Sequence, residues 1–98
     1  MSAMCDYELV AIVSPEANEE TVAGKIDGVS QLIVGRQGVV EETQRWGKKR
    51  LAYPIKKFVD GNYALLRFKL EPSYVLELRQ ALEADESILR YLVIKKGK

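Results

Sequence analysis

The feature that most constrains the fold is the alternation of side chains in residues 62–70. A period of two is typical of a β-strand, because successive side chains point to opposite faces of the sheet. One face of this strand would carry the apolar side chains of Ala64, Leu66, Phe68 and Leu70. The other would carry Tyr63, Leu65, Arg67 and Lys69. The segment therefore predicts a sheet that is covered on one face and open on the other.

Three further strands are predicted from short runs of β-forming residues. They are expected at residues 7–13, 39–46 and 88–94, with an additional extended piece at residues 50–55 after a break at residues 47–49. Asp60-Gly61 is a strong turn signal that would separate this piece from the third strand. Pro54 has no amide donor and therefore indicates a sheet edge.

Two helices complete the pattern. Asn18 is a good N-cap for the first, which would run over residues 19–37, and Gly38 would end it in a left-handed conformation. Gly24 and Gly28 share a face of this helix, and we expect them to allow close packing against a neighbour. Pro72 opens the second helix. The order β-α-β-β-α-β predicts a ferredoxin-like α+β fold, in which a four-stranded antiparallel sheet carries two helices on one face.

Composition limits the chain to one small domain, residues 1–98, with flexible ends expected at residues 1–6 and 96–98. A hydrophobic content of 47% is enough to form a packed core. The single cysteine, Cys5, excludes an internal disulfide and fits a reducing compartment. No apolar run reaches the ~18 residues of a membrane span, and residues 1–6 lack the pattern of a secretory signal. We therefore expect no membrane partner.

The residue types also argue against an enzyme. The chain contains no histidine, which with only one cysteine excludes a Cys–His nucleophile and an ordinary zinc site. No Gly-x-Gly-x-x-Gly or Walker-type loop is present to hold a nucleotide phosphate. We expect no catalytic residue, no metal, no cofactor and no small-molecule substrate.

Charge is distributed unevenly along the chain, although the net charge is only +1. Residues 45–57 contain six cations and residues 90–98 contain four, with no acidic residue in either stretch. Because the rest of the chain is net acidic, this pattern favours local contact with a polyanion such as RNA, although solvated lysines would give the same pattern. The predicted RNA-binding residues are Arg45, Lys48, Lys49, Arg50, Lys56, Lys57, Arg90, Lys95, Lys96 and Lys98.

Residues 46–57 combine these cations with two large aromatic side chains, Trp46 and Tyr53. Lysine and arginine contact phosphates, whereas tryptophan and tyrosine are frequent anchors at protein interfaces. We therefore predict Trp46 and Tyr53 as partner-binding residues. The alternative is that both pack on the core while the lysines protect a sheet edge from aggregation.

An RNA recognition motif has the same topology and is a competing interpretation. Its third strand carries a run of aromatic residues that stack on bases. In that frame the residues that match are Tyr63, Ala64, Leu66 and Phe68, and those that do not match are Gly61, Asn62 and Leu65. Because Leu65 removes a stacking ring, the match is weak.

The segment from Gly47 to Ile55 resembles the signature of the bacterial small-subunit ribosomal protein six family. The resemblance covers almost the whole chain, including residues 7–10, 61–63 and 89–96. It implies a ferredoxin-like, non-enzymatic protein that pairs with ribosomal protein eighteen and binds small-subunit rRNA in its central domain. It further implies a cytoplasmic, ribosome-associated location, or an organellar ribosome. The alternative from another class is a ferredoxin-like regulatory or protein-interaction module.

Overall fold

The computed structural model describes residues 4–96 as a four-stranded antiparallel sheet with two α-helices. The spatial order of the strands is β2-β3-β1-β4, so that β2 and β4 form the edges. The predicted ferredoxin-like arrangement is confirmed. The elements are β1 (Cys5–Val13), α1 (Glu19–Gly35), β2 (Val39–Ile55), β3 (Phe58–Leu70), a 3₁₀ turn (Pro72–Tyr74), α2 (Val75–Ala84) and β4 (Ile88–Lys96).

The expected flexible ends are only partly described, because residues 1–3 and 97–98 lie outside the described range. Within that range, Cys5 and Asp6 already belong to β1, and Lys96 is the last residue of β4. Asp6 and Lys96 pair directly with each other. The first and last strands are therefore longer than the apolar runs that predicted them, because backbone pairing continues into polar residues.

The core lies between the sheet and the two helices. Phe68, Leu9 and Leu66 are completely buried, and each such side chain stabilises the fold by about 1.5–3 kcal/mol relative to exposure. The helices contribute the buried residues Val22, Ile26, Ile33, Leu78 and Leu82. The covered face of β3 is the predicted one, Ala64, Leu66, Phe68 and Leu70.

Helix α1 begins and ends with specific hydrogen bonds. The Asn18 side chain accepts from the Thr21 amide at 2.8 Å, as predicted for the N-cap. At the other end the left-handed residue is Gln37, with φ of 67°, and not Gly38 as predicted. The Gly38 amide donates to the Ile33 carbonyl at 2.8 Å, which completes a Schellman-type cap. Gly38 is needed for space, because a β-carbon there would lie 2.6 Å from the Lys69 carbonyl oxygen.

The turn between β2 and β3 is not at Asp60-Gly61, as the sequence predicts, but at Lys56-Lys57. Both lysines have positive φ, 50° and 72°, which is the geometry of a two-residue type I′ turn. Gly61 lies inside β3 and pairs with Lys49. A β-carbon at Gly61 would overlap Ile12 Cγ2, so this glycine serves close packing and does not form a turn.

Strand β2 continues through the predicted break at residues 47–49. Gly47 has φ of 81° and accompanies a register shift against β3, which is how the strand bends without ending. We call residues 48–61 the hairpin arm. Its Leu51 packs against Ile12 and Leu89, so the arm is attached to β1 and β4 through a second, smaller apolar cluster.

Gly24 and Gly28 do not provide the close packing that we expected from the sequence. Nothing lies within 4 Å of a β-carbon built at either position. Both glycines line a groove of about 200 Å³ between α1 and α2.

Candidate nucleic-acid and partner interface

The hairpin arm carries five of the predicted RNA-binding cations on exposed positions. Lys48, Lys49 and Arg50 follow the Gly47 bend, and Lys56 and Lys57 form the turn. Among residues 4–96, none of these five side chains has a carboxylate within 4.0 Å. Their charges are therefore not neutralised within this part of the chain, and they remain available to a polyanion.

Arg90 belongs to the hairpin arm in space, although it lies 33 residues beyond Lys57 in the sequence. Its guanidinium lies 5.6 Å from the centre of the Tyr53 ring, and Nη1 donates to the Tyr53 hydroxyl. This contact joins the arm to β4, in agreement with the packing of Leu51 against Ile12 and Leu89. The structure thus brings together a predicted RNA-binding residue and a predicted partner-binding residue.

The remaining predicted cations lie elsewhere. Arg45 forms an ion pair with Glu19 at 3.3 Å, and Lys96 lies 3.9 Å from Glu8. Lys95 lies opposite Tyr7, about 17 Å along the strand from Arg90. Lys98 lies outside the described residues. The second basic stretch of the sequence is therefore not one patch, because its members occupy opposite ends of β4.

Trp46 and Tyr53 are surface residues, with 43% and 55% of their area exposed. Trp46 stacks on Tyr63 with ring centres 6.4 Å apart, and its Nε1 donates to Gln44 Oε1 at 2.7 Å. The Lys49 ammonium lies 5.9 Å from the Trp46 ring centre. The alternative, in which both aromatic side chains pack in the core, does not hold.

The open face of the sheet is divided into an apolar half and a charged half. The apolar half contains a groove of about 310 Å³ beside the arm, lined by Val10, Ile12, Leu51, Tyr53, Tyr63 and Leu92. The charged half is connected by ion pairs, in which Arg67 contacts Glu8 at 3.0 Å and Glu42 at 3.2 Å. In addition, Lys69 contacts Asp6 at 3.3 Å, and this carboxylate raises the pKa of Lys69.

Arg79 is a cation beside the arm that the sequence did not single out, because it lies in a net acidic stretch. It projects from α2 into a cleft that Lys56 and Arg90 also line. Burial raises the pKa of the neighbouring Tyr91 phenol and Glu83 raises it further, whereas Arg79 lowers it. The order of charges along the sequence does not show that Arg79 lies near Lys56 and Arg90. Their proximity arises from the tertiary packing of α2, β4 and the hairpin turn.

No group of three or more acidic, cysteine or histidine side chains in the described range is placed to hold a metal ion. None of the helices in that range has the length and apolar character that crossing a membrane requires.

Comparison with known proteins identifies the family. A family model described as ribosomal protein S6 matches residues 6–95. The chain belongs to the ribosomal protein S6 family. It is 40% identical to the small ribosomal subunit protein bS6 of Heliobacterium modesticaldum, over 95% of this chain and 97% of that protein. It is 38% identical to bS6 of Corynebacterium diphtheriae, over 97% of this chain and all of that protein.

A solved structure shows the same fold for a member of the S6 family. The crystal structure of 30S ribosomal protein S6 from Thermotoga maritima superposes with a TM-score of 0.91 at 26% identity. The match covers 96% of this chain and 89% of the other. The predicted family is confirmed, and so is the prediction of a non-enzymatic protein, since the relatives are named as ribosomal proteins.

Proposed function

We propose that this chain is a structural component of the small ribosomal subunit, where it binds small-subunit rRNA together with ribosomal protein eighteen. The observation that carries the proposal is the hairpin arm, in which cations without ion-pair partners in the described range lie beside exposed aromatic side chains and an apolar groove. In this proposal the cations bind the nucleic acid, whereas the aromatic side chains and the apolar groove bind the protein partner.

The RNA contact is proposed at the arm. Lys48, Lys49 and Arg50 present three positive charges on consecutive residues of an edge strand, and the Lys56-Lys57 turn adds two more. Phosphates are bound through such side chains, because each neutralised phosphate releases condensed counterions. Lys95 and Lys98 are proposed to add a second, separate contact, while Arg45 and Lys96 would first have to leave their carboxylate partners.

The protein contact is proposed at the apolar half of the open face. Trp46 and Tyr53 supply large rigid side chains at its edge, and the groove between Tyr53 and Leu92 accepts an apolar side chain of the partner. A protein partner is needed for tight RNA binding, because residues 1–44 and 58–89 carry net charges of −6 and −3 and repel phosphate. A basic partner that covers part of this surface would remove the repulsion.

The proposed location follows from the proposed function. A component of the small subunit resides where ribosomes are, which is the bacterial cytoplasm or the interior of an organelle.

Co-sedimentation tests the proposal. The tagged full chain is expressed in bacterial cells, and the lysate is separated on a sucrose gradient at low salt. We expect the protein in the small-subunit fractions, together with ribosomal protein eighteen in a one-to-one complex when the subunits are dissociated. As a control, the same gradient is run at high salt, where a binding mode based on counterion release weakens.

Recovery of the chain only in ribosome-free fractions would contradict the proposal and favour the regulatory or interaction module. Recovery with the subunits but without ribosomal protein eighteen in the dissociated complex would contradict the partner alone.

A further inference from the structure

The hairpin turn, helix α2 and the start of β4 enclose a polar cleft of about 450 Å³, which shares the lining residues Arg90 and Tyr91 with the apolar groove. Its charged and polar lining residues are Lys56, Arg79, Glu83, Arg90 and Tyr91. Arg79, Glu83, Arg90 and Tyr91 come from the consecutive elements α2 and β4, whereas Lys56 comes from the distant turn between β2 and β3. Lys56 lines the cleft because the arm packs against β1 and β4 through Leu51.

The cleft is positively charged. Three cations line it against a single carboxylate, Glu83, which accepts a hydrogen bond from the Tyr91 hydroxyl at 3.1 Å. Within the described range, Lys56, Arg79 and Arg90 have no ion-pair partner. An anion that enters the cleft would thus meet uncompensated positive charge.

The turn residues provide an independent observation. Lys56 and Lys57 both hold positive φ, in a turn type that Asn-Gly or Gly-Gly fits with much less strain. Lysine has no conformational advantage at either position, and both side chains are exposed. Backbone strain of this kind is concentrated at functional sites, where the side chain is required for another reason. For Lys56 and Lys57, the positive charge of the side chains is such a reason.

We propose that this cleft binds a phosphate of the rRNA backbone, and that Arg79 is one of the residues that hold it. The inference rests on the proposed function, because it takes rRNA as the ligand. It extends the RNA surface from the arm to helix α2, with Lys56, Arg79 and Arg90 around one phosphate and Lys57 beside it.

The first test compares Arg79→Gln with Arg36→Gln. Arg36 is the matched control, since its charge is already balanced by Glu77 at 2.6 Å. Binding of small-subunit rRNA to the complex with ribosomal protein eighteen is measured by filter retention over a range of salt. We expect Arg79→Gln to lower the log–log salt slope by about 0.7–0.9 and the affinity at 0.1 M salt by about five- to eightfold. Arg36→Gln should leave both unchanged.

Glu83→Gln should change the rRNA affinity in the opposite direction from Arg79→Gln. Glutamine keeps an oxygen that accepts from Tyr91, but removes the only negative charge of the cleft. We expect this variant to bind the rRNA more tightly than the wild type. A substitution that merely disturbed helix α2 would not strengthen binding.

The second test separates stability from binding. Lys56→Asn with Lys57→Gly relieves the turn and should raise the thermal midpoint, yet weaken rRNA binding by more than tenfold. Gly24→Ala with Gly28→Ala is the control, because it should raise the midpoint through helix propensity without changing rRNA affinity.

The outcomes distinguish the two proposals. If the wild-type complex binds rRNA and both Arg79→Gln and Glu83→Gln bind like it, the cleft is not a phosphate site and the proposed function stands. If the wild-type complex does not bind rRNA, both proposals are overturned.

Discussion

The hairpin arm and the opposite end of the sheet contain the same kinds of side chain in different environments. At the opposite end, Tyr7 stacks on Phe68 inside the core, with ring centres 5.6 Å apart and only 7% of Tyr7 exposed. In the arm region, Trp46 stacks on Tyr63 at the surface, with 43% of Trp46 exposed. An aromatic pair therefore stabilises the fold in one place and is available to a partner in the other.

The cations show the same contrast. At the opposite end, Arg67, Lys69 and Lys96 all lie within 4.0 Å of carboxylates. On the arm, Lys48, Lys49 and Arg50 have no such neighbours among the described residues. Residue type alone therefore does not identify a binding surface. A cation is free to bind when no carboxylate lies close to it. An aromatic ring is free to bind when neither helix covers it.

The largest expected effect comes from truncating the two aromatic stacks. Tyr7→Ala should lower the free energy of unfolding by about 3–5 kcal/mol, because it leaves a cavity in the core. Trp46→Ala should lower it by less than about 1 kcal/mol, but weaken binding of ribosomal protein eighteen by about 2 kcal/mol, or roughly 30-fold. Chemical denaturation and titration calorimetry measure the two quantities.

The comparison would fail if Trp46→Ala unfolded the protein as readily as Tyr7→Ala does. Unchanged partner affinity in the folded fraction would leave Trp46 as a surface residue without the proposed anchoring role.

Removing three cations from each region tests the electrostatic contrast at constant net charge. Lys48→Ala with Lys49→Ala and Arg50→Ala should reduce the log–log salt slope of rRNA binding by about 2–3 and the affinity at 0.1 M salt on the order of 100-fold. Arg67→Ala with Lys69→Ala and Lys96→Ala should reduce the slope by less than about 1, since these charges are already neutralised. Equal reductions in both variants would show that net charge, and not location, governs binding.

Two glycine-to-alanine substitutions compare the tightly packed base of the arm with the open surface of α1. Gly61→Ala should destabilise the fold by about 1–3 kcal/mol, because the new methyl group overlaps Ile12 where the arm meets β1. Gly24→Ala should stabilise it by about 1 kcal/mol, because the methyl group enters open space on a helix. Thermal unfolding monitored by circular dichroism measures both, and a loss of stability in Gly24→Ala would contradict the open groove beside α1.

The smallest expected effect concerns an ion pair that joins α1 to the end of α2. Burial raises the pKa of Asp85, but Lys25 at 2.8 Å and the Ser87 amide at 2.9 Å together lower it by more, so the pKa lies below its ordinary value. The carboxylate therefore stabilises the fold above its unfolded pKa, and this contribution is lost as the pH falls through the lower folded pKa.

Asp85→Asn keeps an oxygen for the Ser87 amide and removes the charge. We expect it to cost less than about 1 kcal/mol at pH 7, and progressively less as the pH falls through the folded pKa of Asp85, where the wild-type carboxyl becomes protonated. Urea unfolding of both proteins across this range provides the measurement. A difference that grows as the pH falls would reverse the sign of the proposed contribution.

The fold could be predicted from the sequence because its signals are local. The alternation in β3 and the Asn18 cap each depend on neighbouring residues, and both were confirmed. The hairpin turn could not be predicted, because Lys56-Lys57 has a poor propensity for positive φ whereas Asp60-Gly61 has a good one. The close approach of Ile12 to Gly61 overrides that propensity, and Ile12 is distant in the sequence.

The candidate site was predictable only in part for the same reason. A count of charges along the chain found the basic segment of the arm, but it could not show that Arg45 and Lys96 lie beside Glu19 and Glu8. It also placed Arg79 in an acidic stretch, although the tertiary structure brings this residue to the turn.

Strand β1 is the first strand to be synthesised, yet both of its neighbours in the sheet, β3 and β4, are made later. On a translating ribosome, a chain that has not yet released residues 88–96 has one side of β1 unpaired. Val10 and Ile12 point to the open face next to this unpaired edge, and their apolar side chains favour association with another nascent chain. The nearby carboxylates of Asp6 and Glu8 oppose it, since charged side chains on an open edge discourage association. The acidic start of the sheet thus protects the chain during the interval before its last strand is available.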